Sequence, residues 1–517
     1  KKINELIPGD KLKEISIASI EDQLKLFYNG VKVPSLVRPC KVGDGIIKVD
    51  SDQYKELLEL YNKTALEGRL MKFVPASGAA SRMFQKLQSV INKYNNYSLS
   101  ELETKKEIDK DCKSTLEFLH NISKFAFYND LKSTLNLDDE GINKLIVTSP
   151  AEVLKAVLFA NGLDYSTKPK GAIKFHKYEE EPRTAFEEQV YEALHYLPDR
   201  HNKIKIHFTI SEEHTDLFNK IVQDIKSKLS NTEFKFDITY SYQKKSTNTI
   251  AVDLDNQIIL EKDDSLFLRP SGHGALLENL NDLNADIILI KNIDNLSIEN
   301  LADDTFLFKK LLTGYLVKIQ REVFDILNSL ESNEIDDAYL KNTVDYLNNI
   351  LGVETSINFN KWNLDQKKKY LFEKLNKPIR VCGVVKNTGE PGGGPFWVKE
   401  DSGEISKQII ESAQVNFNDE NQKNIFKSST HFNPVDMVCS VKDFKGVNFN
   451  LTNYRDKESG IITIKSKDGV DIKVIELPGL WNGGMANWIT VFVEVPITTF
   501  NPVKEINDLL RKEHQPD

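Results

Sequence analysis

The sequence predicts an α/β protein built on a wound, mixed sheet. Three observations predict it. Ile287-Ile288-Leu289-Ile290 is a continuous apolar run, the texture of a strand buried on both faces of a parallel sheet. Ile204, Ile206, Phe208 and Ile210 alternate along a strand, and Ser211-Glu212-Glu213-His214 then opens a helix through Phe218, Ile221 and Ile225. Further strand signals recur between helical stretches, as crossover connections require. At 517 residues one core would be oversized, so two or three structural units are expected.

The elements follow in order. Ile20, Leu24 and Phe27 share a helical face that Gly30 ends, and Tyr54, Leu57, Leu58 and Tyr61 repeat the pattern up to Gly68. Residues 1–70 are therefore expected as a helical N-terminal region. Leu70-Met71-Lys72-Phe73-Val74-Pro75 reads as a short buried strand entering a small-residue loop, with Arg82-Met83-Phe84 opening a helix. From about 85 to 165, polar residues with helical periodicity predict a helical insertion into an α/β domain spanning 71–430. Phe234, Phe236 and Ile238 form another strand, and Thr249 to Asp253 and Gln257 to Leu260 flank a hairpin turn at Leu254-Asp255-Asn256. A helical stretch from about 300 to 375 precedes the strand Ile379 to Val385. Residues 431–517 read as a strand-rich part that completes the active site.

Composition narrows the function classes. Sixty-eight Lys+Arg against 77 Asp+Glu give a net charge of −9, so no general pull toward nucleic acid or an anionic membrane is expected. Any phosphate binding must come from a local site. No apolar run approaches the ~18 residues of a membrane span. The opening Lys1-Lys2-Ile3-Asn4-Glu5-Leu6 lacks the apolar core of a signal peptide. The four cysteines form no CxxC pair, which predicts free thiols and a cytoplasmic address. There is no HExxH and no Cys/His ligand spacing for a structural zinc. Trp481, Trp488, Phe492 and Phe500 read as core aromatics rather than a stacking platform for bases.

Four segments combine glycine with charge at strand ends, where open α/β sheets bind ligands. In Ala76-Ser77-Gly78-Ala79-Ala80-Ser81-Arg82, small residues admit a phosphate to backbone N–H groups and Arg82 can fork onto its oxygens; a tight strand–helix turn has the same composition. Arg269-Pro270-Ser271-Gly272-His273-Gly274 is a loop able to lie against a base or ribose, or a turn carrying an exposed histidine. Asp294, in Lys291-Asn292-Ile293-Asp294-Asn295 after the most apolar strand, is placed to hold Mg²⁺ or to start a turn. Glu390-Pro391-Gly392-Gly393-Gly394-Pro395 carries three consecutive glycines between prolines.

Together these segments resemble UDP-glucose pyrophosphorylase and the related UDP-N-acetylhexosamine pyrophosphorylases. Arg269 to Gly274 is similar to that family's Pro-Pro-Gly-His-Gly, and Lys291 to Leu296 to its Asn-x-Asp-Asn-Leu. Ile409-Ile410-Glu411-Ser412-Ala413-Gln414-Val415 is similar to Leu-Leu-Glu-x-Ala-Gln-Val. Val493-Glu494-Val495-Pro496, Phe500-Asn501-Pro502-Val503-Lys504 and Asp508-Leu509-Leu510 are similar to Val-Pro, Phe-x-Pro-Val-Lys and Asp-Leu-Leu. Pro169-Lys170-Gly171 resembles the Pro-Lys that completes the phosphate signature. Ala76 to Ser81 stands where the family has Gly-Gly-x-Gly-Thr. The chain also resembles a bacterial family of unassigned function.

The resemblance implies a Rossmann-like sheet of the sugar nucleotidyltransferase type. It further implies a reaction joining a sugar 1-phosphate to a nucleoside triphosphate, UTP by analogy. Arg82, Lys170 and Lys504 inherit the catalytic contacts to phosphate, and Asp294 the Mg²⁺. Ser77, Gly78, Ala79, Ala80, Ser81, Gln243, Gly272, His273 and Gly274 inherit the nucleotide. Glu390, Gly393, His431 and Asn433 lie in loops between matched motifs and are the candidates for the sugar. A glycosyltransferase and a nucleotide-sugar sensor without turnover are the alternatives, and oligomeric state is left open.

Overall fold

A computed structural model describes residues 9–332, 335–389 and 392–516. The chain forms an α/β fold around a mixed, largely parallel sheet, and it divides into two compact units. The first holds residues 1–73, 241–290 and 310–497, the second 74–240, 291–309 and 498–517.

Seven strands form the path of the largest sheet in the first unit, with His431–Phe432 pairing beside it: β1 (Lys41–Val42), β2 (Gly45–Ile47), β3 (Leu70–Pro75), β4 (Ile287–Lys291), β5 (Ile379–Lys386), β6 (Asp436–Ser440) and β7 (Ile489–Glu494). Their spatial order is β1-β2-β7-β5-β6-β4-β3. The apolar run of β4 lies parallel to β3, from Ile287 opposite Leu70 to Ile290 opposite Phe73. β5 is parallel to β7 and antiparallel to β6. All five residues of β4 are buried, as two-sided coverage demands. One face packs Phe73, Ile288, Ile290, Cys382, Val384, Met437, Cys439 and Phe492 into a single core.

The N-terminal stretch departs from expectation. The helices Ile17–Asn29 and Tyr54–Leu66 are present, but Ser35–Pro39, Lys41–Val42 and Gly45–Ile47 are strands. Gly43 and Gly45 sit at φ of +85° and +95°, a sharp bend no helix accommodates. Residues 1–70 are thus mixed, and 431–517 divide between the two units.

In the second unit, residues 85–158 carry six helices from Gln85–Tyr94 to Pro150–Leu158 and no strand. They enclose the ring cluster Phe118, Phe125, Phe127 and Tyr165. Lys203–Thr209 and Lys235–Ser241 are neighbouring strands joined through the helix Thr215–Lys228. No helix among the described residues is long and apolar enough to cross a membrane. All four cysteines are buried free thiols.

Candidate functional site

The sequence candidates fall into two groups, one in each unit. In the second unit, the chain leaves Pro75 and anchors at once through the Ala76 N–H on Thr209 O, 2.8 Å. The loop then zips onto a distant segment. Lys170 N–H donates to Gly78 O at 3.0 Å, and Ala80 N–H to Lys168 O at 3.0 Å. This pairing seats Pro169 opposite Ala79 and starts the short 3₁₀ turn Lys170–Ala172.

A second zipper holds the metal and lysine candidates. Val503 N–H donates to Asp294 O (3.1 Å), and Asn501 N–H to Asn295 Oδ1 (2.9 Å). Gln189 Nε2 donates to the Asn292 carbonyl at 2.9 Å, fixing the turn from behind. Three segments far apart in sequence thereby meet at one carboxylate. Lys170 Nζ lies 2.8 Å from Asp294 Oδ2 and 2.9 Å from Val503 O, and Lys504 Nζ lies 3.3 Å from the same Oδ2.

Burial divides these groups sharply. The side chains of Asp294, Lys170 and Lys504 are 6%, 15% and 61% exposed. Burial alone would raise the Asp294 carboxyl; Lys170 and then Lys504 outweigh it and hold it below the ordinary carboxylate range. Two ammonium groups on one carboxylate leave an uncompensated positive charge, which an arriving phosphate can take up.

The remaining candidates here lie along the same loop. Gly78, Ala79, Ser81 and Arg82 are exposed, Ser77 is half-buried, and Ala80 is buried. Among the described residues the Gly78 and Ala79 amides meet no acceptor, whereas that of Ala80 is already committed to Lys168 O. Ala80 therefore supports the loop, and its amide is not offered to a ligand. No group of three His, Cys, Asp or Glu among the described residues can hold a metal. Asp294 is a lone carboxylate whose Oδ1 makes no bond to a described residue. A carboxylate oxygen of this kind is the hard donor that Mg²⁺ takes.

In the first unit, Gly272 adopts φ +81° and begins the 3₁₀ turn His273–Ala275. A Cβ on Gly274 would fall 1.8 Å from Pro478 O, so only glycine lets the two loops touch. His273 stacks on Trp481 with centroids 4.5 Å apart, and its Nδ1 accepts the Leu480 N–H at 3.0 Å. Nδ1 being the acceptor, a neutral ring carries its proton on Nε2. Trp481 packs against the core of the first unit, as expected, and also backs the histidine. Gln243 is half-buried beside Lys244, which pairs with Asp282 at 2.6 Å.

The proposed sugar residues partly converge. Asn433 N–H donates to Gly393 O at 2.8 Å, and both side-chain polar atoms of Asn433 are buried without a partner among the described residues. His431 is buried, with Nε2 2.7 Å from Glu494 Oε2 and Nδ1 2.8 Å from Thr430 Oγ1. Glu494 was missed as a site residue because it sat inside a motif read for its proline. Glu390 lies outside the described residues.

Among solved structures, the chain is similar to the uridine diphosphate N-acetylglucosamine pyrophosphorylase of Trypanosoma brucei, with 12% identity and a TM-score of 0.47, covering 96% of this chain and 76% of that one. It is similar to a UDP-glucose pyrophosphorylase mutant of Leishmania major in complex with UDP-glucose, with 11% identity, 99% and 80% coverage and a TM-score of 0.42. A putative UDP-N-acetylglucosamine pyrophosphorylase of Entamoeba histolytica gives 14% identity, 89% and 83% coverage and a TM-score of 0.41. No curated protein matches. A family model described as a domain of unknown function, DUF4301, matches residues 9–515. With nearly the whole length matched, the chain belongs to the DUF4301 family.

Proposed function

We propose that the chain is a nucleotidyltransferase joining a sugar 1-phosphate, or a similar phosphate such as that of a cyclitol, to a nucleoside triphosphate, with UTP the first candidate. The observation that supports this reading is the convergence of Lys170 and Lys504 on the buried Asp294. In the reaction, an acceptor phosphate oxygen bonds the α-phosphorus while the bond to the β-bridging oxygen breaks. Pyrophosphate leaves with the electron pair. The attacking oxygen is already anionic, so alignment and charge neutralisation do the work and no general base is needed.

Lys504, exposed and held by one 3.3 Å contact, transfers to the phosphates; Lys170 stays as the fixed cation. Arg82 and the Gly78 and Ala79 amides receive the leaving pyrophosphate. Asp294 would hold Mg²⁺, which would supply positive charge there to offset that of the phosphates. Gly272, His273 and Gln243 select the base, with Trp481 fixing the imidazole plane. Asn433, His431 and Gly393 serve the sugar.

One observation favours a second reading, a sensor that binds without turnover. The Ala80 amide is committed within the protein, so the first loop offers fewer donors than a phosphate cradle usually has. A single incubation discriminates: UDP-glucose or UDP-N-acetylglucosamine with Mg²⁺ and pyrophosphate, followed by chromatography for UTP. UTP formation supports the transferase. Binding without UTP favours the sensor, and UDP released to an acceptor favours glycosyl transfer. Neither binding nor reaction with any nucleotide sugar overturns the proposal.

A further inference from the structure

A line of buried polar groups in the second unit serves none of the contacts above. His176 ends the strand Lys174–His176, Glu188 lies on the helix Ala185–Ala193, and His514 closes the 3₁₀ turn Lys512–His514. All three side chains are buried. His176 Nδ1 lies 2.9 Å from Glu188 Oε2, and His176 Nε2 lies 2.8 Å from His514 Nδ1. The two rings are 21° from coplanar with centroids 5.1 Å apart, so their nitrogens meet edge to edge.

The surrounding hydrogen bonds fix how many protons the line needs. Tyr178 O–H donates to Glu188 Oε2 at 2.8 Å, and Arg183 Nη1–H to Oε1 at 3.2 Å. Both oxygens are acceptors, so Glu188 is a carboxylate and His176 Nδ1 must donate to it. One proton fits the 2.8 Å gap between the rings. At the far end, His514 hydrogen-bonds the Asn501 backbone in the sense that favours a protonated ring, which leaves its Nε2–H for the Asn501 carbonyl. The line therefore needs three N–H groups, where two neutral imidazoles supply two. Burial, then His176 and Arg511, hold His514 well below its ordinary range, so the third proton belongs on His176, beside Glu188.

The far end bears on the lysine–aspartate cluster. Asn501 N–H donates to Asn295 Oδ1 and Val503 N–H to Asp294 O, so the segment that His514 grips is the one carrying Lys504. With only two N–H groups the line fails at one point. Either two lone pairs face each other between the rings, or His514 turns a lone pair on the Asn501 carbonyl. Opposed acceptors at this depth are costly.

We propose that His176 and His514 share one proton beyond their neutral complement, and that this proton clamps residues 501–504. Both are positioning residues, acting on Lys504 through Asn501. The groups facing them are Glu188, Tyr178 and Arg183 at His176 and Arg511 at His514, with Glu299 and His195 behind Arg183. Between about pH 6 and 9 the arginines and carboxylates keep their charge, and burial holds the Tyr178 hydroxyl above its ordinary range. The clamp is therefore closed on the acid side and lost as pH rises. Only an effect on turnover rests on the transferase proposed above; the clamp itself does not.

The test is amide hydrogen exchange of residues 498–515 in the full chain from about pH 6 to 9, corrected for the intrinsic rate, in wild type, His514→Gln and His195→Gln. Protection of the 501–504 amides is expected to fall at least about tenfold in wild type as pH rises, with the same step in His195→Gln and none in His514→Gln. Ring-nitrogen NMR of histidine-labelled protein at about pH 7, assigned with His176→Gln, is expected to show three protonated nitrogens on the pair. Neither measurement involves a nucleotide, so a chain without turnover can still carry the clamp and an active one can lack it. A wild-type profile without the step overturns the proposal, and it decides alone should the variants unfold. A step that survives His514→Gln or vanishes in His195→Gln, or only two protonated nitrogens on the pair, would each overturn it as well.

Discussion

Replacing Lys504 by alanine separates chemistry from folding at the lysine–aspartate cluster. The Lys504 side chain is 61% exposed, and Asp294 keeps Lys170 at 2.8 Å when Lys504 is gone. An exposed pair of this kind contributes about 0–1 kcal/mol, so Lys504→Ala is expected to melt within a few degrees of wild type. Its turnover is expected to fall by about 10²–10³, the usual loss when one electrostatic contact to the transition state is removed. Asp294→Asn gives the converse. It leaves the Lys170 ammonium, 15% exposed, with a carbonyl and a neutral amide. Breaking a buried pair in this way costs about 3 kcal/mol, which corresponds to roughly 6–12 °C in Tm for a unit of roughly 200 residues. The sign with pH follows from the lowered Asp294 pKa. Its stabilisation is complete above the unfolded carboxylate value of about 4 and is lost as pH falls further, so the acid limb of the Tm profile flattens in Asp294→Asn. Differential scanning fluorimetry across pH 2–7 and a coupled pyrophosphorolysis assay read both effects. Wild-type turnover in Lys504→Ala, or a Tm loss equal to that of Asp294→Asn, would refute the reasoning.

Three further outcomes are expected. Burial lowers the His207 pKa from 6.5 to about 4, so folding stability should fall as pH drops from about 6.5 toward 4. The limit is on the order of 3 kcal/mol, and His207→Gln should remove that part of the urea-midpoint pH dependence. Trp481→Ala deletes the ring under His273 and should weaken uridine-nucleotide binding about 3–10-fold by calorimetry with little change in Tm, while an unchanged Kd would detach Trp481 from the nucleotide. Gly274→Ala forces a Cβ to within 1.8 Å of Pro478 O, and the local shift should cost about 1–3 kcal/mol in chemical denaturation.

The sheet was legible wherever one element's own pattern determined it. The four-residue apolar run at Ile287 has the texture of a strand covered on both faces, and β4 is that strand. The helical stretch after residue 85 was equally plain, since six amphipathic helices repeat their own periodicity. The strands between Ser35 and Ile47 were hidden because they are two to five residues long, too short for a period to register. Their formation depends on pairing with strands such as β7, hundreds of residues away. At the candidate site, Lys170, Asp294 and Lys504 were legible as motifs, but their shared carboxylate is a property of two zippers that no local window contains. The Glu494 contact was missed for the same reason: it is made with His431, more than 60 positions distant.

The unequal burial of the two lysines bears on how an acidic chain could meet a polyanion. An ammonium has three donors. Lys170 spends two of them, on Asp294 Oδ2 and Val503 O, and is walled in, so its charge is fixed in place and one donor remains. Lys504 spends one, at the longer distance of 3.3 Å, and its stem is in solvent. On the proposed reading, a phosphate approaching this cluster would meet Lys504 first and draw it off Asp294 at little cost, because that contact is weak and screened. With Lys504 drawn away, Lys170 alone would balance the carboxylate, and the added anion would be held by the lysine that moved. In the proposed reaction Asp294 would thus hold one cation for transfer beside a fixed one, and the net charge of −9 on the whole chain would not have to be overcome at the point of contact.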